Sequence, residues 1–108
     1  MRLQINDRSG RMTEEERQAA ERKILFALSR FATVIERTEL TISDLNGPRG
    51  GIDLECRCQV FPKRGEPLIV VTRDVAVSPC VGACVKRMGR VVSRWVGRKS
   101  DRQTSLPR

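Results

Sequence analysis

Lys86, Arg90, Arg94 and Arg98 recur every four residues, and Arg87 stands beside the first of them. On an α-helix that spacing carries all five cations along one side. No carboxylate occurs between Asp74 and Asp101 to relieve them. A face that is merely solvated ordinarily mixes both signs, so that charges four residues apart pair; a one-sign ridge repels itself, and a polyanion removes the repulsion. The chemistry this implies is phosphate binding. Arg22, Lys23 and Arg30, in an earlier helical segment, are placed to form a second rail. Recognition of single strands by stacking needs aromatic platforms. Here Phe26, Phe31 and Phe61 stand isolated and Trp95 falls in an apolar register, so recognition is expected to rest on phosphates and shape.

Other residues invite chemistry less strongly. Cys56, Cys58, Cys80 and Cys84 could supply four thiolates to a zinc ion or a redox centre, but there is no C-x-x-C pair. Cys56 and Cys58 share the inward register of a regular strand, and Cys84 sits in an apolar helical stripe. Buried packing is therefore the expected role, with no metal and no cofactor. The segment Asn46 to Gly51 is glycine-rich but lacks the Gly-Lys-Ser/Thr ending of a phosphate loop and precedes a strand, so it is read as a turn that exposes Arg49. Glu14, Glu15 and Glu16 suit the positive end of a helix dipole better than a pair of catalytic carboxylates. The chain has no histidine. That removes Ser-His-Asp and Cys-His nucleophiles and every histidine-containing zinc site, and no enzyme activity is expected.

The 108 residues carry 21 Lys plus Arg against 13 Asp plus Glu, a net charge of +8. Residues 77–108 hold eight basic groups and one acid, net +7, whereas residues 34–76 are net −1. One domain is expected over residues 1–98, with 99–108 a basic, mobile tail. Met1 to Asp7 has no signal-peptide core, and Leu68 to Val71 is too short to cross a bilayer. The expectation is a soluble, cytoplasmic monomer with free thiols, no membrane partner and no small-molecule substrate.

The elements that must position these side chains read in order. Leu3 and Ile5 alternate in a short strand that Asp7-Arg8-Ser9-Gly10 breaks as a turn. Thr13 and Glu16 form a capping box, and Ala20, Ile24, Ala27, Leu28 and Phe31 make the apolar stripe of a first helix. The period then changes to two: Thr38, Leu40 and Ile42 oppose Arg37, Glu39 and Thr41, and Ile52, Leu54, Cys56, Cys58 and Val60 alternate with polar residues. Leu68 to Thr72 is nearly continuously apolar and β-branched, as a central strand or a sheet covered on both sides would need. A long second helix begins around Ala76 to Pro79, with Ser78 placed to cap it and Pro79 suited to its first turn; it is striped by Val77, Val81, Cys84, Val85, Met88, Val91, Val92 and Trp95, weakened at Gly82 and Gly89, and ends near Gly97. The sum is an α+β protein, β-α-β-β-β-α, a two-layer sandwich with both helices on one face of a four-stranded sheet.

That order and certain residues resemble the short, single-domain members of the hibernation-promoting factor and ribosome-associated inhibitor family. Residues 41–58, TISDLNGPRGGIDLECRC, are similar to the family's second strand, its Asn-Gly-Pro-basic-Gly-Gly turn and the Asp and Cys that follow. Thr13 at the first helix, Arg8 after the first strand and Arg73-Asp74 before the last helix also fit. The chain departs from the family at Ala76 to Cys80 and in its helical glycines. The resemblance implies a fold similar in outline to double-stranded RNA-binding domains. It also implies docking to the small ribosomal subunit, in the channel shared by messenger and transfer RNA, with inhibition of translation under stress. The implied RNA-binding residues are Arg8, Arg22, Lys23, Arg30, Lys86, Arg87, Arg90, Arg94 and Arg98. The further domain through which long members pair two ribosomes is expected to be absent. A general double-stranded RNA- or DNA-binding module is the alternative reading, and a thiol or zinc protein the third.

Overall fold

The computed structural model describes residues 1–46 and 53–104, with side chains as far as Arg98. The expected turn from Asn46 to Gly51 therefore lies, beyond Asn46, outside the described residues.

The elements run β1 (Arg2–Asp7), α1 (Glu14–Leu28), a single 3-10 turn (Ser29–Phe31), β2 (Ile35–Asp44), β3 (Leu54–Pro62), β4 (Leu68–Asp74) and α2 (Val77–Thr104). The α+β order β-α-β-β-β-α is thus as read. The sheet order is β1-β2-β3-β4. β1 lies parallel to β2, as the helical crossover through α1 requires. The other two pairings are antiparallel, with Leu40 opposite Cys58 and Cys58 opposite Val70.

Period-two patterning decides which side of the sheet is core. Thr38, Leu40 and Ile42 of β2, Leu54, Cys56, Cys58 and Val60 of β3 and Val70 of β4 are buried. Against them pack Ala20, Ile24 and Leu28 of α1 and Val77, Val81, Cys84, Val85, Met88 and Val92 of α2. The one buried polar side chain among these, Thr38, donates its hydroxyl to Met1 Sδ at 3.3 Å, so no buried side-chain polar atom among the described residues lacks a partner.

Local chemistry fixes where α1 starts. Asp7 Oδ1 accepts from the Ser9 N–H (3.0 Å), the Ser9 hydroxyl (2.6 Å) and the Gly10 N–H (3.1 Å), and Oδ2 accepts from the Met12 N–H (3.0 Å). Gly10 turns at φ +72°, where a side chain would be strained. Thr13 then caps α1: its hydroxyl accepts from the Glu16 N–H at 3.1 Å, and the Glu16 carboxylate accepts from the Thr13 N–H at 2.9 Å. The three glutamates are the dipole-facing first turn that the sequence implies.

Three expectations are corrected. β4 is neither central nor covered on both sides: it is an edge strand, with Val70 buried but Ile69 and Val71 47% and 40% exposed. Its β-branched residues suit an extended edge backbone without needing two buried faces. Ser78 is not the cap of α2: the helix begins at Val77, inside the expected Ala76 to Pro79 window, so Ser78 already lies within it; the Cys80 N–H donates to the Ala76 carbonyl at 3.2 Å, and Pro79 occupies the first turn as read, where its missing N–H costs nothing. And α2 does not end near Gly97 but runs to Thr104. Apolar periodicity marks where a helix touches a core. Among the described residues Val96 is the last of α2 packed against the core, and the helix continues beyond it on residues such as Arg98 and Lys99 that favour helix.

Candidate nucleic-acid interface

α1 and α2 pack against each other over the sheet, and their outward sides form a groove of about 1270 Å³. It exceeds the roughly 300–1,000 Å³ of small-molecule sites and is open to solvent, a shape for a polymer. One wall is Arg22, Lys23, Phe26, Ala27 and Arg30; the other is Gly82, Val85, Lys86, Gly89, Arg90, Ser93 and Arg94.

The two glycines explain how the helices come close enough to share a groove. They lie seven residues apart, two helical turns, and so face the same way. A Cβ at Gly82 would sit 3.6 Å from Lys23 Nζ, and one at Gly89 3.6 Å from the Ala27 Cβ. The absence of side chains there keeps the floor between the rails low. Val85, buried beneath, fixes α2 to the core.

Among the described residues six cations line the groove and no carboxylate does. Among the described residues none of the six forms an ion pair; the four salt bridges are Arg2–Glu36, Arg11–Asp44, Arg37–Glu39 and Arg73–Glu55. Neighbours four residues apart on a helix are separated by about 6 Å of rise. That is less than the ~8 Å screening length at physiological salt, so the rails repel themselves unless an anion enters. Arg30 is steadied by Phe31, its guanidinium carbon 4.6 Å from the ring centroid.

Of the nine residues expected to bind RNA, Arg22, Lys23, Arg30, Lys86, Arg90 and Arg94 come together here. The other three do not line the groove. Arg87 and Arg98 are exposed on α2 outside it. Arg8 lies on the uncovered side of the sheet, in a small hollow with Thr41, Ser43, Glu55, Arg57 and Gln59. Sequence reading missed Phe26, whose ring is 92% exposed within the groove. The signal was present: Phe26 is four residues from both Arg22 and Arg30 and so shares their face.

The four cysteines are free and buried. Cys84 Sγ lies 3.5 Å from the carbonyl oxygens of Cys56 and Val70, and Cys80 Sγ 3.6 Å from those of Leu54 and Thr72. The thiols thus spend their weak donor capacity on strand carbonyls. Burial raises the pKa of Cys58 and of Cys80. Cys56 is raised by its hydrogen bond to Cys84 and by burial, while the same bond, with smaller help from Thr72 and the Cys58 backbone, lowers Cys84 against its own burial. Among the described residues no three Cys, His, Asp or Glu side chains are grouped to hold a metal ion, and no helix is long and apolar enough to cross a membrane.

No protein-family model matches the chain, and no curated protein matches it in sequence. Solved structures do match it in fold. The N-terminal domain of Thermus thermophilus Protein Y superposes with a TM-score of 0.68 at 20% identity, over 88% of this chain and 99% of that one. A ribosomal subunit interface protein from Coxiella burnetii superposes with a TM-score of 0.72 at 11% identity, over 90% and 99%. The α+β sandwich of this chain is the fold of those two proteins.

Proposed function

We propose that this chain is a ribosome-associated factor of the hibernation-promoting kind, a binding protein without catalysis. It occupies a ribosomal RNA channel of the small subunit through the α1–α2 groove. The observation that carries the reading is the set of six unpaired cations on facing rails of one groove. Two further observations support it. One structure of the same fold is described as a ribosomal subunit interface protein. Residues 41–58 independently resemble ribosome-associated inhibitors.

Binding of this kind is dominated by counterion release. If all six groove cations meet phosphates, the slope of log affinity against log salt is about −4 to −5. Co-sedimentation of the protein with purified small subunits across a salt series measures it. A slope near zero, or no co-sedimentation at low salt, sinks the reading. Competition with short duplex RNA and duplex DNA separates it from a general duplex-binding module, which would be displaced from ribosomes at comparable nucleotide concentrations.

A further inference from the structure

Phe26 is the part of the groove that phosphate binding leaves unexplained. Single exposed apolar residues are ordinary on protein surfaces. This one stands within a cationic cleft, one helical turn from Arg22 on one side and one turn from Arg30 on the other, and 92% of it is open to solvent. Arg22 precedes the ring by four residues within α1 and Arg30 follows it by four, in the 3-10 turn that closes the helix. The other two phenylalanines have cations on their faces: Arg30 lies 4.6 Å from the Phe31 centroid and Arg37 3.9 Å from that of Phe61. Among the described residues Phe26 has no such partner, and it does not pack against the core cluster. A lysine there would strengthen a purely electrostatic rail.

An exposed aromatic face between backbone-binding cations is what proteins use to hold unpaired nucleotides: the base stacks on the ring and the flanking phosphates meet the cations. A base inside a duplex already has both faces stacked and cannot reach such a ring. We propose that Phe26 is a stacking platform for one unpaired base, so that the groove accepts a single-stranded or splayed segment of RNA. This rests on the ribosomal RNA reading above and narrows it: recognition is by phosphates and one stacked base, beyond the phosphates and shape expected from the sequence.

The test uses the whole protein and fluorescence anisotropy with three ten-nucleotide probes: oligoadenylate, an abasic ribose-phosphate strand, and an RNA duplex. The wild-type protein is expected to bind oligoadenylate about tenfold more tightly than the abasic strand, the size of one base–aromatic stack. Phe26→Ala should erase that preference while leaving abasic-strand affinity and salt slope unchanged, and Phe26→Tyr should keep it. A preference that survives Phe26→Ala overturns the proposal, as does an equal loss of affinity for abasic and adenylate strands. So does an oligoglutamate peptide of matched charge that binds as tightly as oligoadenylate. Failure of the wider reading looks different: Arg90→Glu with Arg94→Glu would leave small-subunit co-sedimentation unchanged, whatever Phe26 does to short probes.

Discussion

The two broad faces of this molecule both carry arginines, but they differ in how those arginines are compensated: on the sheet face several are paired with acids, and Arg8 and Arg57, which form no ion pair among the described residues, share their hollow with Glu55. On the uncovered side of the sheet, Arg37 meets Glu39 at 3.1 Å and Arg73 meets Glu55 at 3.3 Å, and Arg2 reaches Glu36 at 3.5 Å. Strand pairing sets this up, because register brings Glu55 of β3 opposite Arg73 of β4. On the helical side the cations follow one another at four-residue steps with no acid among them. Basic charge makes a surface sticky to polyanions only where it is left uncompensated. Acids beside the arginines, present on the sheet face and absent from the groove, distinguish the two faces more than arginine number does.

The sharpest way to break that comparison is to reverse charge on each face in turn. Arg90→Glu with Arg94→Glu should lower small-subunit affinity at least about a hundredfold, because two phosphate contacts become two repulsions in a groove that holds no other acid. Both side chains are exposed, so the far-ultraviolet circular dichroism should not change. Arg57→Glu, on the sheet face, should change affinity by no more than about threefold. Equal losses from the two variants would mean that net charge alone drives binding and that the groove has no privileged role.

Next in size is the link that ties the helical layer to the sheet. Asp7 closes β1 into α1 by accepting four hydrogen bonds. Its partial burial opposes ionisation, but the bonds from Ser9, Met12 and Gly10 outweigh it and hold the pKa below the usual aspartate value. A depressed folded pKa gives stability that is present above the unfolded value, near 3.9, and is lost as pH falls through the folded value. Asp7→Asn keeps one acceptor but turns an N–H donor toward others, and should cost about 1–2 kcal/mol near neutral pH. In thermal melts the gap between variant and wild type should close as pH drops below about 4. A gap that persists at pH 2 would remove the carboxylate from the account.

These contrasts also show what the sequence could and could not carry. The burial of Thr38, Leu40 and Ile42 in β2, of Ala20, Ile24 and Leu28 in α1, and of Cys56, Cys58 and Cys84 follows from spacing, because alternation and the 3.6 period report directly on which side meets a core; Ile35 was not legible, since a register shift between it and Arg37 puts it out of phase with the rest of β2. β4 misled because β-branched composition says only that a backbone is extended; whether a second face is covered depends on where both helices land, and both landed on the opposite side. Six of the nine expected RNA-binding residues were legible as rails, since cation spacing is as readable as apolar spacing. Arg8 and the groove separate because a residue's position beside a strand end does not reveal which side of the sheet it faces. Gly82 and Gly89 read as helix weaknesses when considered singly; their separation by seven carried the message that they share one face, and the partner across from them, α1, became visible only in three dimensions.

The glycines give the next prediction, of opposite sign. The space at Gly89 admits a methyl group in ordinary contact with Ala27, and its φ is not in the left-handed region. Gly89→Ala should therefore raise stability by up to about 1 kcal/mol through helix propensity. It also raises the groove floor between Ala27 and the Lys86–Arg90 rail. A rise in melting temperature accompanied by a modest loss of affinity would show that the glycine serves the groove; a rise in both would show that α2 stability had been limiting the interface.

The smallest effect is the most discriminating for the comparison between faces. Exposed ion pairs contribute about 0–1 kcal/mol, so Glu39→Gln together with Glu55→Gln should barely move the melting temperature. The double variant nevertheless frees Arg37 and Arg73 and takes the chain from +8 to +10. If pairing is what silences the sheet face, a second, weak and strongly salt-dependent site for short RNA should emerge there, detectable as added stoichiometry at low salt and insensitive to charge reversal at Arg90 and Arg94. If no second site emerges, silence must instead come from geometry: cations spread across a sheet, on registers set by strand pairing, would fail to follow a phosphate backbone that two facing helical rails can track.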